Sequence, residues 1–151
     1  MTPTQLAALK TEIQTDPQGL GYAACFPAQP GHAADLINAP TQTMVRPISS
    51  AIAMTWAAAG PYAAIVDASN NAASPCRASC LAILAAFNSG QGIDLAVPAL
   101  ASIIASWVSA GIITQAQSNA LTAIATQSAS RAQVLGFNPV LESDIDAALE
   151  T

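Results

Sequence analysis

The chain is poor in charge. Of its 151 residues only 9% are Asp, Glu, Lys or Arg, against about 25% in ordinary soluble domains. The four basic residues, Lys10, Arg46, Arg77 and Arg131, are scattered, and the net charge is −5. No patch able to neutralise several phosphates can be built from them, which argues against direct nucleic-acid binding. A surface with so few charges depends on Thr, Ser, Gln and Asn for its polarity, or on burial against partner subunits. Acidic residues cluster only near the end, in "ESDIDAALE", where Asp144 and Asp146 suit the positive end of a terminal helix.

Aromatic residues are scarce as well, at 5%, although 52% of the chain is hydrophobic. Much of that set is alanine, so the core is expected to rely on close backbone approach, near the short end of the usual range of about 8–10 Å between helix axes. Each such contact buries little area, and stability has to come from many contacts and from alanine's helix propensity. Trp56, Trp107, Phe87 and Phe137 are the expected large anchors. A chain of this length can bury roughly 68–70% of its unfolded surface without a metal or disulfide. Residues 1–151 are expected to form a single helical domain.

Histidine occurs once and cysteine three times. Cys25, Cys76 and Cys80 leave at least one thiol unpaired, which argues against a secreted disulfide scaffold. Cys76 and Cys80 lie four apart on one predicted helix face, but the further ligands of a metal site are missing, and buried small hydrophobes are the expectation. His32 has neither a nucleophile nor an orienting partner named by any motif and reads as a surface or helix-start residue. No catalytic residue, cofactor site or metal site is expected, and the chain is not expected to be an enzyme.

The opening "MTPTQLAALKTEIQTD" has no basic segment followed by an apolar run, so no signal peptide is read there, and synthesis in the cytoplasm is expected. Residues 95–113, "LAVPALASIIASWVSAGII", are uncharged over a length that could cross a bilayer. Pro98, Ser102, Ser106, Ser109 and Gly111 interrupt that run, and it lacks basic flanks. A helix with defined ends is the preferred reading. A holin-type lysis protein, whose span this would have to be, is the alternative; a cytoplasmic helical interaction module is a third class.

Along the chain, Pro3 fits the first turn of a helix carrying Leu6, Leu9 and Ile13 on one face, stopped by Asp16 and Pro17. "QGLGYAACFPAQPG" reads as a loop pinned by Tyr22 and Phe26. "HAADLIN" gives two turns of helix, and "APTQTMVRPI" is extended because Pro40 and Pro47 bias their preceding residues. Ser49 or Ser50 caps a helix with Ile52, Trp56 and Ala59 on one face, broken or kinked at Gly60 and Pro61 and continuing through "YAAIVDAS" to Asn70 and Asn71. Ser74 and Pro75 start another with Leu81, Ile83, Leu84 and Phe87 inward, ended by Gly90. Pro98 opens the next, closed by Gly111. Thr114 and Gln117 have capping-box spacing, for a helix running from Gln115 to Val134. After Gly136 and Pro139, Ser143 caps a final short helix. The fold class expected is all-α, a compact Ala-rich bundle of about six short helices with at most one or two short extended pieces.

Arg131 is the one charge between residues 111 and 137. Placed late in its helix, its guanidinium is expected to bridge to Asp144 or Asp146 within the chain, or to a carboxylate of another subunit. Arg46, between Val45 and Pro47, has the same two alternatives. Arg46, Arg131, Asp144 and Asp146 are therefore the candidate protein-interaction residues.

Three stretches taken together, "LAALKTEIQTDPQGLGY", "ADLINAPTQTMVR" and "GIITQAQSNALTAIATQSASRAQVLGF" with "ESDIDAAL", resemble a loose family of small tailed-bacteriophage proteins encoded among virion and tail genes. The resemblance covers both ends and little of the middle. Ser130, Arg131 and Ala132 match its pattern, whereas Gln133 stands where that pattern has an acid, and Gly136-Phe137 shortens the turn. It implies a virion component without saying which one; with the low charge and abundant alanine, the expectation is a non-enzymatic structural protein of the tail, baseplate or neck. Other virion proteins would be its partners, in several copies of a symmetric assembly, with no direct nucleic-acid or membrane contact.

Overall fold

Three Ser/Thr-x-x-Gln sequences start helices in the computed structural model, which describes residues 1–150. At Thr2–Gln5, Thr114–Gln117 and Ser130–Gln133 the hydroxyl accepts the N–H three residues on, and the Gln side chain accepts the cap's own N–H. Each box satisfies two donors that a helix start otherwise leaves open. They begin α1 (Pro3–Thr15), α7 (Gln115–Ala125) and α8 (Arg131–Val134). The remaining helices are α2 (Pro30–Asn38), α3 (Ser50–Ala58), α4 (Tyr62–Asn70), α5 (Arg77–Ser89), α6 (Pro98–Ser109) and α9 (Glu142–Glu150), with a 3-10 turn at Tyr22–Cys25. Two short strands, β1 (Gln42–Val45) and β2 (Thr126–Ala129), pair as the one small sheet among the described residues.

The all-α expectation holds, with nine helices among the described residues where about six were expected. The difference lies in breaks. Gly60 and Pro61 separate α3 from α4, and the helix expected from Gln115 to Val134 stops at Ala125. Thr126 is extended, with φ −82° and ψ 120°, and β2 follows before Ser130 caps α8. The last helix also starts two residues early, at Glu142: Ser143 lies inside α9, and Asp144 accepts the Leu141 N–H at its start. Ser74 supports a turn before α5 by accepting the Cys76 N–H, and the helix itself begins at Arg77.

The backbone gathers into two compact units. The first contains residues 1–44 and 128–151; the second is the continuous stretch 45–127. Each unit has its own apolar core.

In the first unit α1, α2, α8 and α9 surround Leu9, Tyr22, Ile37, Phe137, Val140 and Ile145. The Asn38 side chain ties this unit's two pieces together: its amide nitrogen donates to the Val140 carbonyl at 2.7 Å and its oxygen accepts the Val140 N–H at 3.0 Å. One side chain thus supplies both hydrogen bonds that an extended residue would otherwise seek from a strand.

In the second unit Trp56, Ile65, Cys80, Phe87, Ile104, Trp107 and Leu121 form the core. Both indoles are satisfied: Trp56 donates to the Gln117 carbonyl at 2.9 Å and Trp107 to the Ser79 hydroxyl at 2.8 Å. All four expected anchors, Trp56, Trp107, Phe87 and Phe137, are buried. Ile52 and Leu81 are not, at 47% and 45% exposed. In α3 the buried face is Ala53, Trp56 and Ala57; in α5 it is Cys80, Ile83 and Phe87. The small residues take the interior because the indole and phenyl rings already fill the space between helices. Gly92 is required by contact: an added Cβ would lie 2.6 Å from the Ile48 carbonyl, in the antiparallel bridge between Ile48 and Ile93.

Residues 95–113 contain α6, twelve residues long, closed by Gly111 at φ 70°. Among the described residues no helix is long and apolar enough to cross a membrane.

Replacing Ser79 with Ala leaves the fully buried Trp107 N–H without its acceptor. The expected cost is about 1–3 kcal/mol, read as a lower midpoint in urea unfolding followed by tryptophan fluorescence.

Candidate functional site

The first unit assembles its polar centre from a helix face, a turn and a cap. Leu9, Glu12 and Ile13 share the buried face of α1, which places a carboxylate among apolar side chains. Asp16 ends α1 in the left-handed conformation, φ 38°, which Asp tolerates better than most residues. Its carboxylate then accepts the N–H groups of Leu20 at 2.7 Å and Gly21 at 2.8 Å, and this turn delivers Tyr22 to the core. From the other end of the chain, the Ser130 box fixes α8 so that Arg131, its first residue, points at Glu12.

Arg131 donates to Glu12 through two nitrogens, Nε to Oε1 at 2.8 Å and a terminal nitrogen to Oε2 at 2.7 Å. The side chains are 15% and 4% exposed, so this fork is largely desolvated. Its hydrogen bonds with Glu12 raise the guanidinium pKa further, outweighing the opposing effect of burial. The expected partner of Arg131 was Asp144 or Asp146; Glu12 takes that place, and Arg131 opens its helix rather than closing one. Asp144 instead meets the Met1 ammonium at 3.3 Å. Gln133, where the phage pattern has an acid, is the N3 residue of the Ser130 box, a role that a neutral amide fills as well as a carboxylate.

Tyr22 is fully buried and its hydroxyl has no hydrogen-bond partner among the described residues. Burial raises its pKa above the ordinary tyrosine range; Glu12 and Asp16 add to the rise, and Arg131 opposes it. Cys25 is buried in the same unit. His32 is exposed in the first turn of α2.

In the second unit, Cys76 and Cys80 are free and buried. Burial raises the Cys80 thiol pKa, with Cys76 adding to the rise, so Cys80 is a poor nucleophile. No group of three or more metal-ligating side chains occurs among the described residues. Arg46 donates its backbone N–H to the Ala125 carbonyl at 2.9 Å, and its buried Nε has no hydrogen-bond partner among the described residues. Arg77, which no motif singles out, donates to the Ser69 carbonyl at 3.2 Å near the end of α4. An open groove of about 670 Å³ runs beside Cys76, Ser79, Ser106 and Ala110, and no charged side chain lines it.

Asp146 is exposed on α9 and lines a hollow of about 370 Å³ with Phe26, Pro27, Pro30, Leu149 and Glu150. Of the four candidate interaction residues, Asp146 is the one that combines exposure with a concave, partly apolar setting. The signal for the Arg131 partner was present in the sequence as Glu12, three residues after Leu9 and adjacent to Ile13, on the face assigned to the core. A charged residue there has to be neutralised or paired.

Glu12→Gln is expected to destabilise the protein by about 3–5 kcal/mol, because Arg131 is left buried without its counter-charge. A smaller loss is expected when Arg131→Met accompanies it, as the two midpoints in urea will show. Tyr22→Phe removes the unpartnered hydroxyl. The raised folded-state pKa of Tyr22 contributes stability that is intact below its ordinary value of 10 and is lost as pH rises through that region. The gain in Tm from Tyr22→Phe is therefore expected to grow above about pH 10, measured by thermal melts of both proteins across that range.

Comparison of the chain with protein-family models, with curated proteins and with solved structures finds no match.

Proposed function

We propose that this chain is a non-enzymatic structural protein of a tailed-phage virion, a component of the tail, baseplate or neck. In this reading it is made in the host cytoplasm and built into the particle in several symmetric copies, bound to other virion proteins. The observation that carries the reading is the make-up of the surface. Ile52, Tyr62, Leu81, Val97, Ile124 and Leu141 are between 41% and 61% exposed, in a chain with only 9% charged residues. Large apolar side chains on a sparsely charged surface favour burial against partners over lasting contact with water.

The likeness of both chain ends to small phage virion proteins supplies the setting. The net charge of −5 disfavours nucleic acid as a direct partner. A holin-type protein would need its span in residues 95–113, of which α6 occupies twelve.

Mass spectrometry of purified particles of the phage encoding this chain tests the proposal. Peptides of the chain are expected at a ratio of several copies per particle. Their absence from intact particles would overturn it.

A further inference from the structure

The charge is unevenly divided between the two units. Seven of the nine acidic residues and two of the four basic residues lie in residues 1–44 and 128–151, so the first unit carries the entire net charge of −5. The second unit has two of each and is neutral.

Three of the seven acids are already used. Glu12 pairs with Arg131, Asp144 with the Met1 ammonium, and Asp16 holds two backbone N–H groups. Asp146 and Glu150, four apart on the outer face of α9, have no ion pair among the described residues. They flank the hollow formed by Phe26, Pro27, Pro30 and Leu149. Its wall is preformed, since proline rings fix the backbone and the Phe26 ring is half-buried. A cation beside the two carboxylates can also lie over an aromatic face.

We propose that this hollow docks a basic segment of another protein, seating an apolar side chain between Phe26 and Leu149 while flanking Lys or Arg groups meet Asp146 and Glu150. The proposal rests on the structural reading above and names the chemistry of the partner. The same charge argument disfavours the other occupants. A second copy would bring either a unit of −5 or a neutral unit whose two basic residues, Arg46 and Arg77, are scattered, and nucleic acid or an anionic membrane would add negative charge to the site.

The test is titration of the isotopically labelled full chain with the peptide Lys-Leu-Lys-Phe-Lys-Leu-Lys, followed by amide chemical shifts. Two control peptides carry Glu in place of Lys, and Ser in place of Leu and Phe. Saturating shifts are expected within residues 26–30 and 146–150 with the first peptide and with neither control. The double variant Asp146→Asn, Glu150→Gln is expected to weaken binding about three- to tenfold at low salt, the range for two exposed charge contacts. Leu149→Ser is expected to weaken binding while leaving the spectrum of the free protein otherwise intact. Equal binding of the serine control would show diffuse charge attraction and overturn the apolar seat. Shifts elsewhere, no binding, or affinity unchanged in the double variant would overturn the site. Any of these failures, with the chain still found in particles, would leave the virion reading standing.

Discussion

The first unit is built from the two ends of the chain, and everything in it depends on holding those ends together across the residues of the second. Closing a loop of that length costs on the order of 4 kcal/mol in chain entropy. A core with few large side chains offsets this less readily than a leucine-rich one. The polar contacts that bridge the two pieces are accordingly specific: the Arg131 fork on Glu12 and the paired Asn38–Val140 hydrogen bonds. Both fix geometry that alanine contacts leave loosely defined. The fork requires Glu12 and the start of α8 to be in place together, and Asn38 sets where the segment before α9 lies against α2. Apolar packing of α1 and α2 on α9 then fills in around them.

The second unit solves the same shortage of bulk differently. It is continuous in sequence, so closure costs less, and its two tryptophans each occupy space that several alanines could not. Their indole N–H groups are bound to the Gln117 carbonyl and the Ser79 hydroxyl, which lets large rings lie in the interior without an unsatisfied donor. The division also separates electrostatic roles. One unit is neutral, while the other holds the net charge, with two carboxylates that have no ion pair among the described residues beside a partly apolar hollow.

Much of the helix pattern is legible because helix ends are local events. Pro98, Gly111 and the Thr114–Gln117 box act through a handful of adjacent atoms, and the structure has them where the sequence places them. The Ser130–Gln133 box has the same spacing and would have divided the helix expected through Val134. It was hidden by the strong helix propensity of the alanines around it. Faces were harder. In α3 and α5 apolar and small residues lie on more than one side, so the period admits more than one inward face, and Ile52 and Leu81 fall outside although the smaller Ala53 and Cys80 beside them are buried. The candidate site was legible in part: Asp146 was named as a possible partner of Arg131, whereas its apolar companions in the hollow, Phe26, Pro27 and Pro30, lie in a loop more than a hundred residues away in sequence.

By itself the sequence determined the helical class, the caps and breaks that act over a few residues, the four aromatic anchors and the scarcity of charge. These follow from propensity and composition, which require no knowledge of what lies opposite. The tertiary structure decided which helix face turns inward, that residues 126–129 become a strand, that two cores form, and that Arg131 belongs to Glu12 rather than to the acidic end. Those outcomes depend on which distant segments meet, and a guanidinium chooses its carboxylate by which one shares its desolvated space.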